Sequence, residues 1–279
     1  MAASLIQKTE SASFYAGIAP QRHVEVRESL VNDAERERLR AQGYMQLDHV
    51  LAPGSCEELA ACVEHLVEAG VPPVFAFVYD AFWDLFDAIA RGIGPPLGRT
   101  LQVLPDFWVW RVTAAKAEGG WSPHRDYRSA VVRGADGFAD RLNVWVALTD
   151  APRNNACLSL VPRPSDTAYP NLEVDPCAGA VDLPVRAGTA LVWDANLLHW
   201  SNPADPNAKP RISAAMTLER ATTVSARPSS FQERLDTVAM QIVRYEPYNL
   251  TMSPELRAWA RAASALRQVR SRAARVVPR

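Results

Sequence analysis

The sequence Leu142-Asn143-Val144-Trp145-Val146-Ala147-Leu148 is a run of aliphatic, β-branched and aromatic residues that ends before the turn formers Asp150-Ala151-Pro152. A run of this length and composition predicts a β-strand. Similar runs, separated by loops rich in Pro, Gly, Asn and Asp, predict strands at 101–112 (one or two strands around Pro105), 157–161, 189–193 and 211–218. Short strands joined by such loops predict an antiparallel roll of two sheets.

Helices are expected before and after this roll. Asn32-Asp33 can cap a helix over residues 34–41, which Gly43 ends. Apolar spacing predicts further helices at 53–68, 79–90 and 254–270, and a short strand at 44–47. Residues 1 to about 30 show no clear periodicity and are expected to wrap over the domain or to stay partly mobile. The chain is therefore predicted to be a single domain with a mostly helical part (1–98), a roll (99–222) and a C-terminal segment (223–279).

Composition limits the classes of protein that remain. The chain has 279 residues, 48% hydrophobic and 22% charged, which is enough for one large domain with its own core. A formal net charge of −1 argues against nucleic acid as a partner. We find no secretory signal, no stretch long enough for a membrane span and no C-x-x-C pattern among the four cysteines. We therefore expect reduced thiols and a cytoplasmic protein. The seven arginines of residues 256–279 are expected to form a solvated helix face rather than a site for an acidic partner.

Two histidines and an aspartate have the types and the order of a metal site. His124 and Asp126 form an H-x-D pattern after a Gly-rich loop, at the predicted start of a strand, so alternation turns both side chains to one face. His199 lies just beyond the predicted strand at 189–193, although a core histidine is an equally good interpretation of it alone. Two imidazoles and one carboxylate can hold one face of Fe(II) and leave positions open for a co-substrate and O₂. The same ligand types also bind zinc, so the triad does not name the metal.

Arg211 is the candidate anchor for an acidic co-substrate. It begins a predicted strand 12 residues after His199, and Ser213 faces the same side of that strand. An inward guanidinium can pair with a carboxylate through two parallel hydrogen bonds. Taken alone, a surface ion pair would be the commoner role for such an arginine. Its position after His199 favours the binding role.

The order of these motifs resembles the phytanoyl-CoA dioxygenase-like group. The resemblance runs from about Ala34 to Leu218 and includes H-x-D, N-V-W-V-A-L-T-D, N-A-C-L-S-L-V-P, G-T-A-L-V-W-D-A-N-L-L-H and the following arginine. Those enzymes are Fe(II)- and 2-oxoglutarate-dependent oxygenases with a mainly β fold, a double-stranded β-helix (jelly-roll, cupin-like) core with flanking helices. The resemblance implies iron ligands and pocket residues in this chain: His124, Asp126 and His199 for iron, Arg211 with Ser213 for 2-oxoglutarate, and Asn143 and Trp145 for the pocket wall.

Two departures from the group concern the expected substrate rim. Many relatives carry Gly where this chain has N-A-C-L, and often P-G-S-H where it has V-P-R-P. Related halogenases replace the carboxylate ligand with a small residue, so that chloride can bind the iron. The presence of Asp126 therefore favours oxygen transfer or desaturation over chlorination.

The substrate side carries weaker signals. Most of the tryptophans are expected to be core residues, but Trp110 and Trp121 are candidates for the pocket wall. Arg125, Arg128 and Arg133 lie near the expected mouth and could attract an acidic substrate, although solvated surface charges are expected for at least two of them. The loop 128–140, which contains Gly134 and Gly137, is a candidate lid.

The sequence thus predicts a dioxygenase that uses Fe(II), 2-oxoglutarate and O₂, releases succinate and CO₂, and hydroxylates a small molecule. Two alternatives stay open, a cupin-like isomerase or hydrolase with zinc or manganese, and a binding protein on the same fold. Arg211 favours the oxygenase over the isomerase or hydrolase, because a 2-oxo acid requires such an anchor.

Overall fold

The computed structural model describes residues 2–20, 24–28, 30–114, 122–127, 132–169, 179–223, 226–246 and 252–276. Its helices are α1 (Ala2–Thr9), α2 (Ala12–Gly17), α3 (Asp33–Gln42), α4 (Pro53–Glu68), α5 (Asp80–Ile93), α6 (Phe231–Tyr245) and α7 (Pro254–Val276), with short 3-10 helices at Pro73–Val78, Pro95–Leu97 and Arg163–Ser165. Its strands are β1 (Tyr44–Leu47), β2 (Leu101–Val112), β3 (Arg141–Ala147), β4 (Leu158–Leu160), β5 (Val181–Leu183), β6 (Ala190–Asp194), β7 (His199–Ser201) and β8 (Arg211–Arg220). No helix within these ranges has the length and apolarity to span a membrane.

The strands form two antiparallel sheets. The larger has the order β1-β6-β3-β8-β2 and the smaller the order β5-β4-β7. Trp145, Leu191 and Trp193 of the larger sheet pack in one apolar cluster with Leu158 and Leu183 of the smaller. The two sheets therefore face each other, which confirms the predicted double-sheet roll.

A second, larger apolar cluster lies between the helices and the five-stranded sheet. Helices α4, α5 and α6 pack against β2 and β8. Phe77 stacks on Phe107 of β2 at 4.0 Å between ring centroids, and Trp83 meets the same ring edge-on. Since alternate residues of a strand point to opposite faces, burying Phe107 against the helices turns Asp106 and Trp108 toward the inside of the roll.

Strand β2 is one strand with an irregularity. Its register against β8 shifts between Val103 and Phe107, where Pro105 lies. Proline has no N–H to donate to the ladder, so an edge strand tolerates it at a bulge. The structure therefore has one continuous strand here, which is one of the two outcomes that the sequence predicted.

The predicted helices are present, with shifted ends. Asn32 and Glu35 form a capping box at the start of α3, and Gly43 ends that helix with φ of +82°. Helix α5 continues to Ile93, beyond the predicted end at residue 90, because Gly92 fits inside it. A Cβ atom at Gly92 would lie 2.7 Å from the Leu30 side chain, so the absence of a side chain here lets Leu30 pack directly on the helix backbone. Helix α7 reaches Val276 instead of residue 270.

The sequence interpretation missed several elements. Among them are α1 and α2 in the stretch without clear periodicity, the 3-10 helix Pro73–Val78, the three-residue strands β5 and β7, and helix α6. Helix α6 has a readable signal, because Ser230 and Glu233 form a capping box at its start. His124 was predicted at the start of a strand, but residues 122–127 contribute a single bridge instead.

Candidate metal centre

His124, Asp126 and His199 come together at the β7 edge of the smaller sheet. The amide N–H of each histidine donates to the carbonyl of the other, at 3.0 and 3.1 Å. His124 Nε2 lies 3.3 Å from Asp126 Oδ1, and His199 Nε2 lies 3.6 Å from Asp126 Oδ2. A backbone bridge between two distant segments thus brings the three predicted side chains to one point.

The two imidazoles are oriented by the same local contact. The Nδ1–H of His124 donates to the carbonyl of Ser122 at 2.7 Å, and the Nδ1–H of His199 donates to that of Leu197 at 3.0 Å. Each bond orients its ring so that Nε2 points toward the Asp126 carboxylate.

The donor set fits a metal ion. Bonds of about 2.1 Å at right angles place neighbouring ligand atoms about 3 Å apart, close to the separations observed here. The three ligand atoms lie within 4.8 Å of one another. Two neutral imidazoles and a carboxylate on one face match the donor set of non-haem Fe(II) sites that keep open positions.

The charges of the three groups depend on one another. Burial alone would raise the pKa of the Asp126 carboxyl, but His199, His124 and Asn143 stabilise its anion, so the pKa lies below its ordinary value. Burial lowers the pKa of His199 to about 4. At His124 burial opposes protonation, but the hydrogen bond and charge of Asp126 prevail and raise the pKa. An ionised carboxylate beside a neutral His199 is the state that metal binding requires.

Asn143 orients Asp126. Its Nδ2–H donates to Asp126 Oδ2, and its own Oδ1 accepts from Thr217 Oγ1 at 3.1 Å. Asn143 lies on β3 and Thr217 faces it in register on β8. The sequence predicted Asn143 for the pocket wall, and the structure adds a contact with a candidate ligand. Such partners of metal ligands set the direction of the lone pairs.

Arg211 lies inside the roll with 2% of its surface exposed. Its Nη1 donates to Ser213 Oγ at 2.5 Å, its Nη2 donates to Ser201 Oγ at 3.2 Å, and its guanidinium carbon lies 5.4 Å from the ring centroid of Trp145. No carboxylate of the described residues pairs with it, and burial lowers its pKa to about 10. A buried cation without a counter-charge is costly, so an anionic ligand would complete the site.

Three buried N–H donors of the cavity wall lack partners among the described residues. Arg211 Nε, Trp145 Nε1 and Trp193 Nε1 are buried without a hydrogen-bond partner among the described residues. Native structures rarely bury so many unpaired donors in one region, and a bound ligand is a common explanation. Ser201 and Trp193 were not predicted as site residues. Ser201 belongs to the short strand β7, which the sequence interpretation missed.

The triad and Arg211 line one cavity of about 680 Å³. Its wall also includes Asn143, Trp145 and Trp193 from the roll. Residues from outside the roll also line it, and they include Val71, Tyr245, Met252 and Leu256. The cavity lies within the size range of small-molecule sites and is much larger than a five-carbon diacid requires.

The predicted arginines at the mouth have other roles where the structure describes them. Arg125 was a candidate for attracting an acidic substrate, but it donates to Asp166 at 2.6 and 2.8 Å and has 1% of its side chain exposed. Arg133 donates to the carbonyl of Gly137. Arg128 lies outside the described residues, as does Trp121.

Within the described part of the predicted lid, residues 132–140, the segment 136–139 is packed against the rest of the protein. Arg99 donates to Asp136 at 2.6 and 2.7 Å and to the carbonyls of Phe138 and Ala139. Phe138 is 1% exposed. A buried arginine that satisfies two carbonyls holds this segment against the body of the protein, so the lid interpretation is wrong for these residues.

Comparisons with solved structures agree with the fold. The non-haem monooxygenase ThoJ, in its nickel complex, is 20% identical, with 76% of this chain and 97% of that chain covered and a TM-score of 0.54. The 2-oxoglutarate-dependent carbocyclase SnoK of nogalamycin biosynthesis is 20% identical, with coverage of 68% and 84% and a TM-score of 0.51. The epimerase SnoN, in complex with Fe³⁺, 2-oxoglutarate and a nogalamycin compound, is 21% identical, with coverage of 68% and 84% and a TM-score of 0.50.

At these identities the likeness shows the fold, a double-stranded β-helix core with flanking helices, which confirms the predicted fold class. No curated protein matches the chain in sequence. The match to a family profile covers a shorter part of the chain than the structural matches do. It includes the triad and Arg211 and ends directly before Ser213. Residues 82–212 match the profile of the phytanoyl-CoA dioxygenase family (PhyH), which confirms the resemblance that the motifs predicted.

Proposed function

We propose that this protein is an Fe(II)- and 2-oxoglutarate-dependent oxygenase that acts on a small molecule, with hydroxylation as the expected outcome. The observation that carries the proposal is the buried guanidinium of Arg211, which has no carboxylate partner among the described residues and lines the same cavity as the His-Asp-His cluster. A metal site alone would fit several reactions. An unpartnered buried cation in its cavity adds the requirement for an acidic co-substrate.

The residues divide the work between the two ends of the cavity. His124, Asp126 and His199 would hold iron, with Asn143 keeping the Asp126 oxygens in place. Arg211 would bind the far carboxylate of 2-oxoglutarate, with Ser213 and Ser201 fixing the guanidinium plane. The indole N–H of Trp145, whose ring lies against Arg211, has no partner among the described residues and is a further donor for that carboxylate. Iron would supply the activation of O₂ that couples decarboxylation of 2-oxoglutarate to oxidation of the substrate.

The remaining role of the chain is to position the reactants and to exclude water. Trp193, whose ring centroid lies 4.9 Å from that of His199, lines the cavity together with residues outside the roll. Exclusion of water by a bound substrate would strengthen the ion pair with Arg211 and protect reactive species from solvent. The reaction is expected to release succinate and CO₂.

The test is succinate release from 2-oxoglutarate by the Fe(II)-loaded protein in air, without added substrate. We expect slow release that stops when O₂ is removed or when zinc replaces iron, and that disappears in His199→Ala. His65→Ala, an exposed histidine of α4, is the matched control and should behave as the native chain. Succinate release by the zinc-loaded protein, or none by the iron-loaded protein at any 2-oxoglutarate concentration, would favour a cupin-like isomerase or hydrolase or a binding protein.

A further inference from the structure

Part of the cavity wall is aromatic. Trp108 and Trp110 lie on β2 and face inward, with ring centroids 5.8 Å apart. Tyr245, at the end of α6, lies 5.1 Å from Trp108. Trp110 packs against both apolar clusters, so it stands where the roll meets the helices. All three side chains line the cavity, so aromatic rings form part of the surface that a bound molecule would contact.

Aliphatic side chains line the cavity as well. Val71 and Leu256 are 1% exposed and Met252 is 7% exposed, and all three line the cavity. Val71 follows α4, Met252 precedes α7 and Leu256 lies in α7, and all three lie outside the stretch that matches the family profile. We call the part of the wall beyond the triad and Arg211 the outer part, and substrate selection is expected there.

The charged groups of this outer part are already paired. Arg111 donates to Glu64 at 2.6 Å. The Asp106 carboxylate accepts from Tyr245 at 2.8 Å and from Tyr127 at 3.1 Å, and Arg244 lies 3.0 Å from it. Together with Arg125, which pairs with Asp166, these are the charged side chains of the described cavity wall apart from the triad and Arg211.

The described wall disfavours three kinds of ligand. A coenzyme A thioester would need cations for its phosphates, and Arg111 and Arg125 of the described wall already pair with carboxylates. A quaternary ammonium ion would favour an aromatic cage with an uncompensated carboxylate, but Arg244 already neutralises Asp106. A sugar would bury many hydroxyls that a wall of this kind could not satisfy. Flat apolar rings gain most from offset or edge contact with aromatic side chains.

We propose that the substrate is an uncharged, flat, polycyclic molecule that stacks on Trp108, Trp110 and Tyr245. The proposal rests on the proposed function in one respect, that the Arg211 end is occupied by 2-oxoglutarate. The two can fail separately. Binding of 2-oxoglutarate to the iron-loaded protein is followed under nitrogen by the charge-transfer absorption of the complex, and binding of the flat ligand is followed in the same sample by quenching of tryptophan fluorescence.

The ligand to use is 2-(hydroxymethyl)anthraquinone, which is uncharged and has three fused rings. We expect saturable quenching, weakened about tenfold in Trp110→Leu and less than about threefold in Trp110→Phe, because phenylalanine keeps an aromatic face and leucine does not. Both variants should keep the absorption band with 2-oxoglutarate, which shows that they are folded. Equal weakening by the two substitutions, or no saturable quenching in the native protein, would overturn the proposal.

Hexadecanoyl-CoA, benzyltrimethylammonium and sucrose are the comparison ligands in displacement experiments. None of them should displace 2-(hydroxymethyl)anthraquinone at the concentrations at which other uncharged anthraquinones displace it. Tighter binding of the thioester, the cation or the disaccharide would replace our substrate class with that one. Loss of the absorption band with retained quenching would contradict the proposed function and leave the flat-ligand site in place.

Discussion

The two ends of the cavity are built in opposite ways. At the metal end every candidate ligand is already held by the protein, since the two Nδ1–H groups donate to carbonyls and Asn143 donates to Asp126. At the Arg211 end the guanidinium has hydroxyl partners but no counter-charge among the described residues, and Trp145 Nε1 has no partner. One end is preorganised, and the other is completed by its ligand.

This difference has a thermodynamic consequence. Orienting a ligand set in advance reduces the entropy that metal binding would otherwise lose. A buried cation without an anion, in contrast, destabilises the empty protein and is stabilised when the anion binds. The metal end should therefore respond to substitution mainly by losing affinity, and the Arg211 end by losing affinity and gaining stability.

The largest effect is expected from Asp126→Ala. The substitution removes the charge that the two imidazoles face, so Fe(II) binding and succinate release should both fall below detection. Equilibrium dialysis and a succinate assay measure the two effects. Asp33→Ala, whose side chain is 94% exposed on α3, is the matched control. Normal succinate release by Asp126→Ala would mean that the ligand assignment is wrong.

Arg211→Met tests the other end and should move affinity and stability in opposite directions. Affinity for 2-oxoglutarate should fall about 100-fold, because a buried charge-assisted contact contributes several kcal/mol. Without ligand the variant should be more stable by about 1 kcal/mol, since an apolar side chain of similar volume replaces an uncompensated buried charge, while the hydroxyls of Ser201 and Ser213 lose a donor. Isothermal titration and urea unfolding measure the two quantities.

The exposed Arg36→Met on α3 is the control for this pair of measurements. It should change neither the 2-oxoglutarate affinity nor the midpoint of unfolding. A lower urea midpoint for Arg211→Met than for the native chain would show that the guanidinium stabilises the empty protein, and the contrast between the two ends would be lost.

The longer strands that carry Asn143, Trp145, Trp193 and Arg211 could be predicted because each is a complete local signal. The run at β3 and the run at β6 are bounded by turn formers, and the long helices have caps and apolar faces. The strands β5 and β7 have three residues each, too few for alternation to show. These two strands form because they pair with β4 on either side. The residues next to Ser201 in the sequence therefore do not indicate that it lies in the site.

The site residues also divide into those that the sequence pattern indicates and those that only the tertiary structure shows. The residue types and order of His124, Asp126, His199 and Arg211 are visible in the sequence, and the structure brings the triad together and places Arg211 in the same cavity. Arg125 pairs with Asp166, which lies 41 residues away in the sequence, and no local pattern predicts this pair. The sequence suggested a surface arginine near the cavity mouth, but tertiary packing buries it in an ion pair.

Asn143→Ala should have an intermediate effect and should act at the metal end alone. Loss of an orienting hydrogen bond to a metal ligand typically lowers metal affinity about 10- to 100-fold. We expect that loss for Fe(II), with little change in the stability of the metal-free protein. The exposed Asn154→Ala is the control. Fe(II) affinity unchanged in Asn143→Ala would mean that the bridge between the two histidines orients the site without help from Asn143.

Ser213→Ala should have the smallest effect and gives the finest test of the contrast. Arg211 Nη1 donates to Ser213 Oγ at 2.5 Å, and a single hydrogen bond of this kind contributes about 1 kcal/mol, so the KM for 2-oxoglutarate should rise about fivefold. The turnover number at saturating 2-oxoglutarate and the Fe(II) affinity should stay constant, because the metal end keeps all its contacts. If Ser213→Ala lowered Fe(II) affinity as much as Asn143→Ala does, the two ends would form one coupled network, and the separation between a preorganised end and a ligand-completed end would not hold.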